Sequence, residues 1–151
     1  YLYTNIDKVI VHPSVYYSEI NDAYHKGEFN PRMKAIVFSW EDFKAGYEIK
    51  NDNLNLGIHE FAHVLHLHGM NSQDTSAIIF SRMYDRIRRE IEYPTNRERL
   101  INSDYFRIYA YTNHFEFLAV IIEHYFESPH LFKQEFPKLF ENVSKMLNHK
   151  H

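Results

Sequence analysis

The chain is expected to fold as an α+β protein, mainly helical, with a small β-sheet near its N-terminus. Three observations predict this. Two short runs rich in β-branched and aromatic residues lie before Glu41. From Asn53 onward, apolar residues recur at helical spacing in several segments, and prolines or polar clusters separate them. No internal repeat or low-complexity tract breaks that order.

Lys8-Val9-Ile10-Val11, stopped by Pro13, reads as a first strand, and Ala35 to Trp40 reads as a second in the same sheet. Ser18 to Arg32 carries Asn21-Asp22, Gly27 and Asn30-Pro31, so it is expected to be loop. Glu41 to Ala45 predicts a single helical turn ended by Gly46. Asn51-Asp52-Asn53 offers capping side chains for a helix from Asn53 to His68. Leu54, Ile58, Phe61, Ala62 and Leu65 recur along it, and Gly69 serves as a left-handed stop.

A second helix is expected from Asp74 to just before Pro94, with Ile78, Ile79, Met83, Ile87 and Ile91 as its apolar face. Thr95 to Ser103 is polar and reads as irregular. A third helix spans about Asn113 to Glu127, stopped by Ser128-Pro129, and a last one follows Pro129 or Pro137.

With 151 residues the chain is expected to form one domain, residues 1–151. An aromatic share of 17% predicts an aromatic-rich core. A net charge of -3 gives no general attraction for nucleic acid or anionic membrane, so neither is an expected partner. Apolar stretches such as Phe115 to Ile122 are too short or interrupted to span a bilayer. The expected location is cytoplasmic; the chain begins at Tyr1 rather than Met, which leaves an upstream signal or anchor open. There is no Cys, so any metal must be held by His, Asp or Glu, and eleven His are present.

His59-Glu60-Phe61-Ala62-His63 places two imidazoles four residues apart, on one face of a helix and one turn from each other. That spacing can grip one zinc ion. Glu60 is rotated about 100° from His59 by the helical repeat, so it flanks the metal and is placed to take a proton from a water molecule. The pattern arises by chance in a chain of this composition with a probability of roughly one in fifteen, so the helical context has to carry part of the argument. Without flanking His, a Glu here would be read as a surface salt bridge or a cap.

A catalytic zinc site needs a third protein ligand and keeps one position open. His66, His68, Glu116 and Glu123 are the candidates. A His ten residues after His59 would suit the metzincin pattern, but that position is Gly69. Glu116 and Glu123 lie seven apart and share a face of an otherwise apolar helix. Glu116 is the favoured ligand. Glu123 is equally well read as an exposed carboxylate paired with Lys or Arg.

Taken together, these segments resemble the Mlc titration factor A family of zinc peptidases, related in fold to lethal-factor-type metallopeptidase domains. The resemblance is carried by Val9-Ile10-Val11 with His12-Pro13, Ile36 to Asp42, Leu56 to His63, and Asn113 to Val120 with Glu123, Tyr125-Phe126-Glu127 and Pro129. It implies a zincin-like fold of the gluzincin type, with His59, His63 and Glu116 as zinc ligands, Glu60 as general base and Tyr109 as transition-state stabiliser. The chain departs from the family pattern at Val64-Leu65-His66, where Gln-Leu-Asp is usual. If that Asp orients a ligand His, His66 is expected to do so through a ring nitrogen.

The resemblance also implies a peptide or protein substrate, aminopeptidase-like action, and a transcriptional repressor as a binding partner. The last point supports a rival reading, a regulatory module whose peptidase activity is secondary or absent. A third reading is a domain with a structural metal, or with no metal at all. A substrate strand is expected to pair with the sheet edge presented by Ile36 to Trp40.

Overall fold

The computed structural model describes residues 5–18, 22–49 and 52–150. Five short strands come first: β1 (Lys8–His12), β2 (Tyr16–Ser18), β3 (Ala23–His25), β4 (Gly27–Asn30) and β5 (Ala35–Ser39). Helices follow: α1 (Trp40–Glu48), α2 (Leu56–Asn71), α3 (Thr75–Glu92) and α4 (Pro94–Asn102). A 3-10 turn (Ile108–Tyr111) then leads to α5 (His114–Glu127), α6 (Pro129–Glu135) and α7 (Pro137–Leu147). The fold is α+β and mainly helical, as the sequence pattern predicts.

One sheet has the order β1-β5-β4, with β5 parallel to β1 and antiparallel to β4; β2 and β3 form a separate antiparallel pair. The stretch expected to be loop therefore contains β3 and β4 and begins at the last residue of β2. Each is only three or four residues long and is set by its pairing partner, which local propensity does not register. The β4–β5 turn is local chemistry: Asn30 Oδ1 accepts the Met33 N–H at 3.0 Å, and Lys34 takes a left-handed φ of 47°. β5 lies between two neighbours, so the edge expected at Ile36 to Trp40 is already paired, and Trp40 begins α1. The strand edge beside α2 belongs to β4.

α1 starts where Ser39 Oγ accepts the Asp42 N–H, and it runs through Gly46 instead of ending there. The cap of α2 is Asn55, whose Oδ1 accepts the Ile58 N–H at 3.0 Å. Asn53 instead takes φ 58° in the loop before the helix, and Asn51 lies outside the described residues. Gly69 is inside α2 and not at a left-handed stop. A Cβ there would come within 2.2 Å of the Phe80 ring, so the glycine allows α2 and α3 to cross at close range. Phe80 is buried and cannot yield freely. Gly69→Ala is expected to cost about 1–3 kcal/mol in urea denaturation through overpacking.

α3 is capped by Asp74, which accepts the Ala77 N–H at 2.9 Å. Its buried face is Ala77, Phe80, Tyr84, Ile87 and Ile91. Ile78 and Ile79 were expected on that face but are exposed, because the packed stripe runs one position away from each of them. The segment from Thr95 is helical rather than irregular. Pro94 presets the first turn of α4, and only Leu100 is buried, so no periodicity shows in its sequence. Pro129 and Pro137 each start a helix, giving α6 and α7 where one was expected.

α5 is apolar on nearly every side and fills the centre. Phe117 to Tyr125 are buried against α2, the 3-10 turn, α6 and α7, at a gain of about 1.5–3 kcal/mol for each large apolar side chain. A smaller cluster of Ile36, Phe38 and Val64, with Phe29, Phe43 and Leu56, seals the sheet against the other side of α2. α2 is thus held from two sides. Its first turns, with His59, Glu60 and His63, lie between β4 and the start of α5.

Candidate metal centre

Asn113 caps α5 by accepting the N–H groups of Phe115 and Glu116 at 2.9 and 3.0 Å. This places Glu116 in the first turn, opposite His59 and His63 on α2. One ligand-type atom from each of His59, His63 and Glu116 lies within 4.8 Å of the others. His59 Nε2 is 3.0 Å from Glu116 Oε2, and His63 Nε2 is 3.8 Å from Glu116 Oε1. Atoms bound about 2.0–2.2 Å from one tetrahedral ion sit at comparable separations from each other.

The other nitrogen of His59 explains why the arrangement calls for a cation. His59 Nδ1 is 2.6 Å from Glu123 Oε1, and a carboxylate can only accept, so Nδ1 carries its proton towards Glu123. In the neutral ring Nε2 is then a lone pair facing the Glu116 carboxylate, acceptor against acceptor. A proton or a metal cation between them relieves the clash. Without a metal, a second proton takes that place: burial works against it, but the bonds to Glu116 and Glu123 outweigh burial and lift His59 to about 9. The donor set, two imidazoles and a carboxylate with one imidazole backed by a second carboxylate, fits a divalent metal of the zinc type.

The neighbouring groups are shifted in the same setting. Burial, with the charge of His59 adding to it, lowers His63, which favours the neutral imidazole that a metal needs. Burial opposes ionisation of Glu116, but the bond to His59 and the charge of His63 prevail and hold it below the usual carboxylate range. Glu60 is buried and pushed up to about 7, chiefly by burial, while the charge of His59 and the Phe29 N–H of β4 pull the other way. A Cβ at Gly27 would lie 2.8 Å from Glu60 Oε1, so β4 approaches this carboxylate as closely as a bare backbone allows.

Tyr109, in the 3-10 turn before α5, has its ring centroid 6.1 Å from that of His59 and is 47% exposed. Burial and then the Glu116 charge raise its hydroxyl to about 12, which keeps it a donor at neutral pH. A cleft of about 430 Å³ opens beside these groups. Tyr24, Gly27, Leu54 and Leu56 line it, together with His59, Glu60 and Tyr109.

The other candidates are elsewhere. His66 packs against Tyr84 and Phe115, with centroids 4.6 and 4.9 Å away, and burial pushes it down to about 4. It is a neutral packing residue. The group that orients His59 is Glu123, not His66. His68 Nε2 pairs with Asp74 at 3.0 Å at the far end of α2. Glu123, which the sequence alone allows as an exposed carboxylate paired with Lys or Arg, is paired with Arg107 but is fully buried at 1% exposure.

Two groups were not foreseen. Arg107 grips both Glu123 oxygens, and the Asn55 N–H donates to Glu123 Oε2 at 3.1 Å. The available signal is Glu123 itself, a carboxylate in a helix apolar on nearly every side, which requires a buried donor.

The family described as glucose-regulated metallo-peptidase M90 matches residues 1–147. No curated protein matches the chain. With that match covering nearly every residue, and with the resemblance carried by the same segments, the chain belongs to the glucose-regulated metallo-peptidase M90 family, the group to which the Mlc titration factor A-like peptidases belong.

Proposed function

We propose that the protein is a zinc-dependent peptidase that hydrolyses peptide bonds with an activated water molecule. His59, His63 and Glu116 would hold the ion. The observation that carries the reading is the meeting of three acceptors from α2 and α5 at one point, with the proton of His59 Nδ1 already committed to Glu123. Zinc held there would supply Lewis acidity, lowering the pKa of a bound water molecule and polarising a carbonyl oxygen. Glu60 takes the proton from the attacking water and delivers it to the departing amine, a task suited to a carboxylate buried to a pKa of about 7. The Tyr109 hydroxyl donates to the carbonyl oxygen as negative charge develops on it. The substrate lies in the cleft, its backbone beside β4, replacing the β5 edge expected from the sequence.

Aminopeptidase-like action and a repressor partner rest on the family resemblance alone, and the convergent cluster favours the peptidase reading over the regulatory one. The test is metal removal. Chelation by a strong zinc ligand should reduce hydrolysis of an unfolded protein or a mixed peptide pool at least about tenfold, and one equivalent of zinc should restore it. Because α2 and α5 are held by their apolar cores, the far-UV circular dichroism should be retained. Unchanged hydrolysis by verified metal-free protein would refute the reading.

A further inference from the structure

We propose that Arg107 is a positioning residue of the metal site, fixing through Glu123 which nitrogen of His59 is left free for the ion. The inference rests on the metallopeptidase reading and adds a residue to it.

A histidine ligand is useful only if the nitrogen aimed at the metal carries no proton, and the partner of the other nitrogen decides that. For His59 the partner is Glu123 Oε1 at 2.6 Å. A carboxylate at the end of a glutamate can rotate, so something must hold that oxygen in place. Arg107 does so with two parallel bonds, Nη2 to Oε1 at 2.6 Å and Nη1 to Oε2 at 3.0 Å. The Asn55 N–H adds a third at Oε2.

The guanidinium is itself anchored. Its Nη1 also donates to the Asn53 carbonyl, in the loop that leads into α2, so the clamp is tied to the backbone just before the helix that bears His59. Arg107 Nη2 lies 3.4 Å from His59 Nδ1. While Nδ1 holds its proton, these are two donors and no bond forms between them. If Glu123 swung away, Arg107 would become the nearest partner of Nδ1 and would favour the opposite tautomer, with the proton on the nitrogen that should face the metal. Arg107 therefore helps only by way of Glu123. Its guanidinium also lies 5.9 Å from the centre of the Tyr109 ring, so one side chain borders both the ligand and the proposed oxyanion donor.

The test uses the full chain with Arg107→Met, which removes the clamp, and Arg107→Lys, which keeps a charge but replaces the planar fork with a single point. Circular dichroism and melting curves establish folding. Zinc affinity is read by competition with a chromophoric chelator, and the His59 tautomer by nitrogen-15 NMR of zinc-loaded protein. Folded Arg107 variants should bind zinc about 10–100-fold more weakly, with Lys closer to wild type than Met. Wild type should show the proton on Nδ1.

A role confined to folding would move the melting curve and leave affinity and tautomer alone. Zinc affinity within about twofold of wild type in a folded Arg107→Lys or Arg107→Met protein overturns the proposal. So does a wild-type proton on Nε2, whether or not the variants fold. Wild type that takes up no stoichiometric zinc would refute the metallopeptidase reading instead, so the two failures are distinguishable.

Discussion

Glu60→Gln is expected to lower peptide hydrolysis by about 10²–10⁴-fold while zinc binding stays at the wild-type level. The substitution keeps the size and shape of the side chain and removes only its capacity to take a proton. Folding should not suffer. Glu60 is buried, and burial has already raised it to about 7, so a neutral amide relieves the cost of a charge in that position. The Gln carbonyl can still accept the Phe29 N–H that faces Glu60 from β4. Initial rates at saturating and sub-saturating peptide, with metal content measured on the same samples, check this. A variant within about twofold of wild type would remove Glu60 from the mechanism, and the regulatory reading would gain ground.

Parts of the fold were legible because sequence and environment agree there. Asp74 and Asn113 stand immediately before long periodic segments and cap α3 and α5 as their positions suggest. Where the two disagree, the reason is tertiary. Gly46 and Gly69 look like helix ends, yet both lie within helices, Gly69 because the Phe80 ring packs where a Cβ would be. Ile78 and Ile79 look like core, but the stripe through Ala77, Phe80, Tyr84, Ile87 and Ile91 already meets the bundle, and a helix buries one stripe here. The strands β2, β3 and β4 are too short to show a period of two, and their turn-forming residues conceal them.

The site divides in the same way. Four-residue spacing is enough to stack His59 and His63 on one face of α2, and a seven-residue spacing puts Glu116 and Glu123 on one face of α5. Spacing along one helix cannot say which of two carboxylates meets a ring on another. That depends on where α5 crosses α2, and the crossing puts Glu116 at Nε2 and Glu123 at Nδ1 of the same His59. Arg107 and Asn55 were invisible because they lie outside every motif. They are defined by the buried carboxylate they satisfy, and the sequence order keeps them far from it.

The second large effect falls on Glu116. Its carboxylate is the one group from α5 that faces both imidazoles, and it contributes no cap: the Glu116 N–H, not its side chain, is what Asn113 holds. Glu116→Ala should therefore leave α5 intact, since alanine is the better helix former, while only two imidazoles remain for the ion. Zinc bound per chain, measured by equilibrium dialysis and mass spectrometry on folded wild type and folded Glu116→Ala, tests the convergence of α2 and α5 most directly. One zinc per wild-type chain, with affinity weakened more than about 100-fold in the variant, is the expected result. Equal, stoichiometric zinc in both proteins would contradict it.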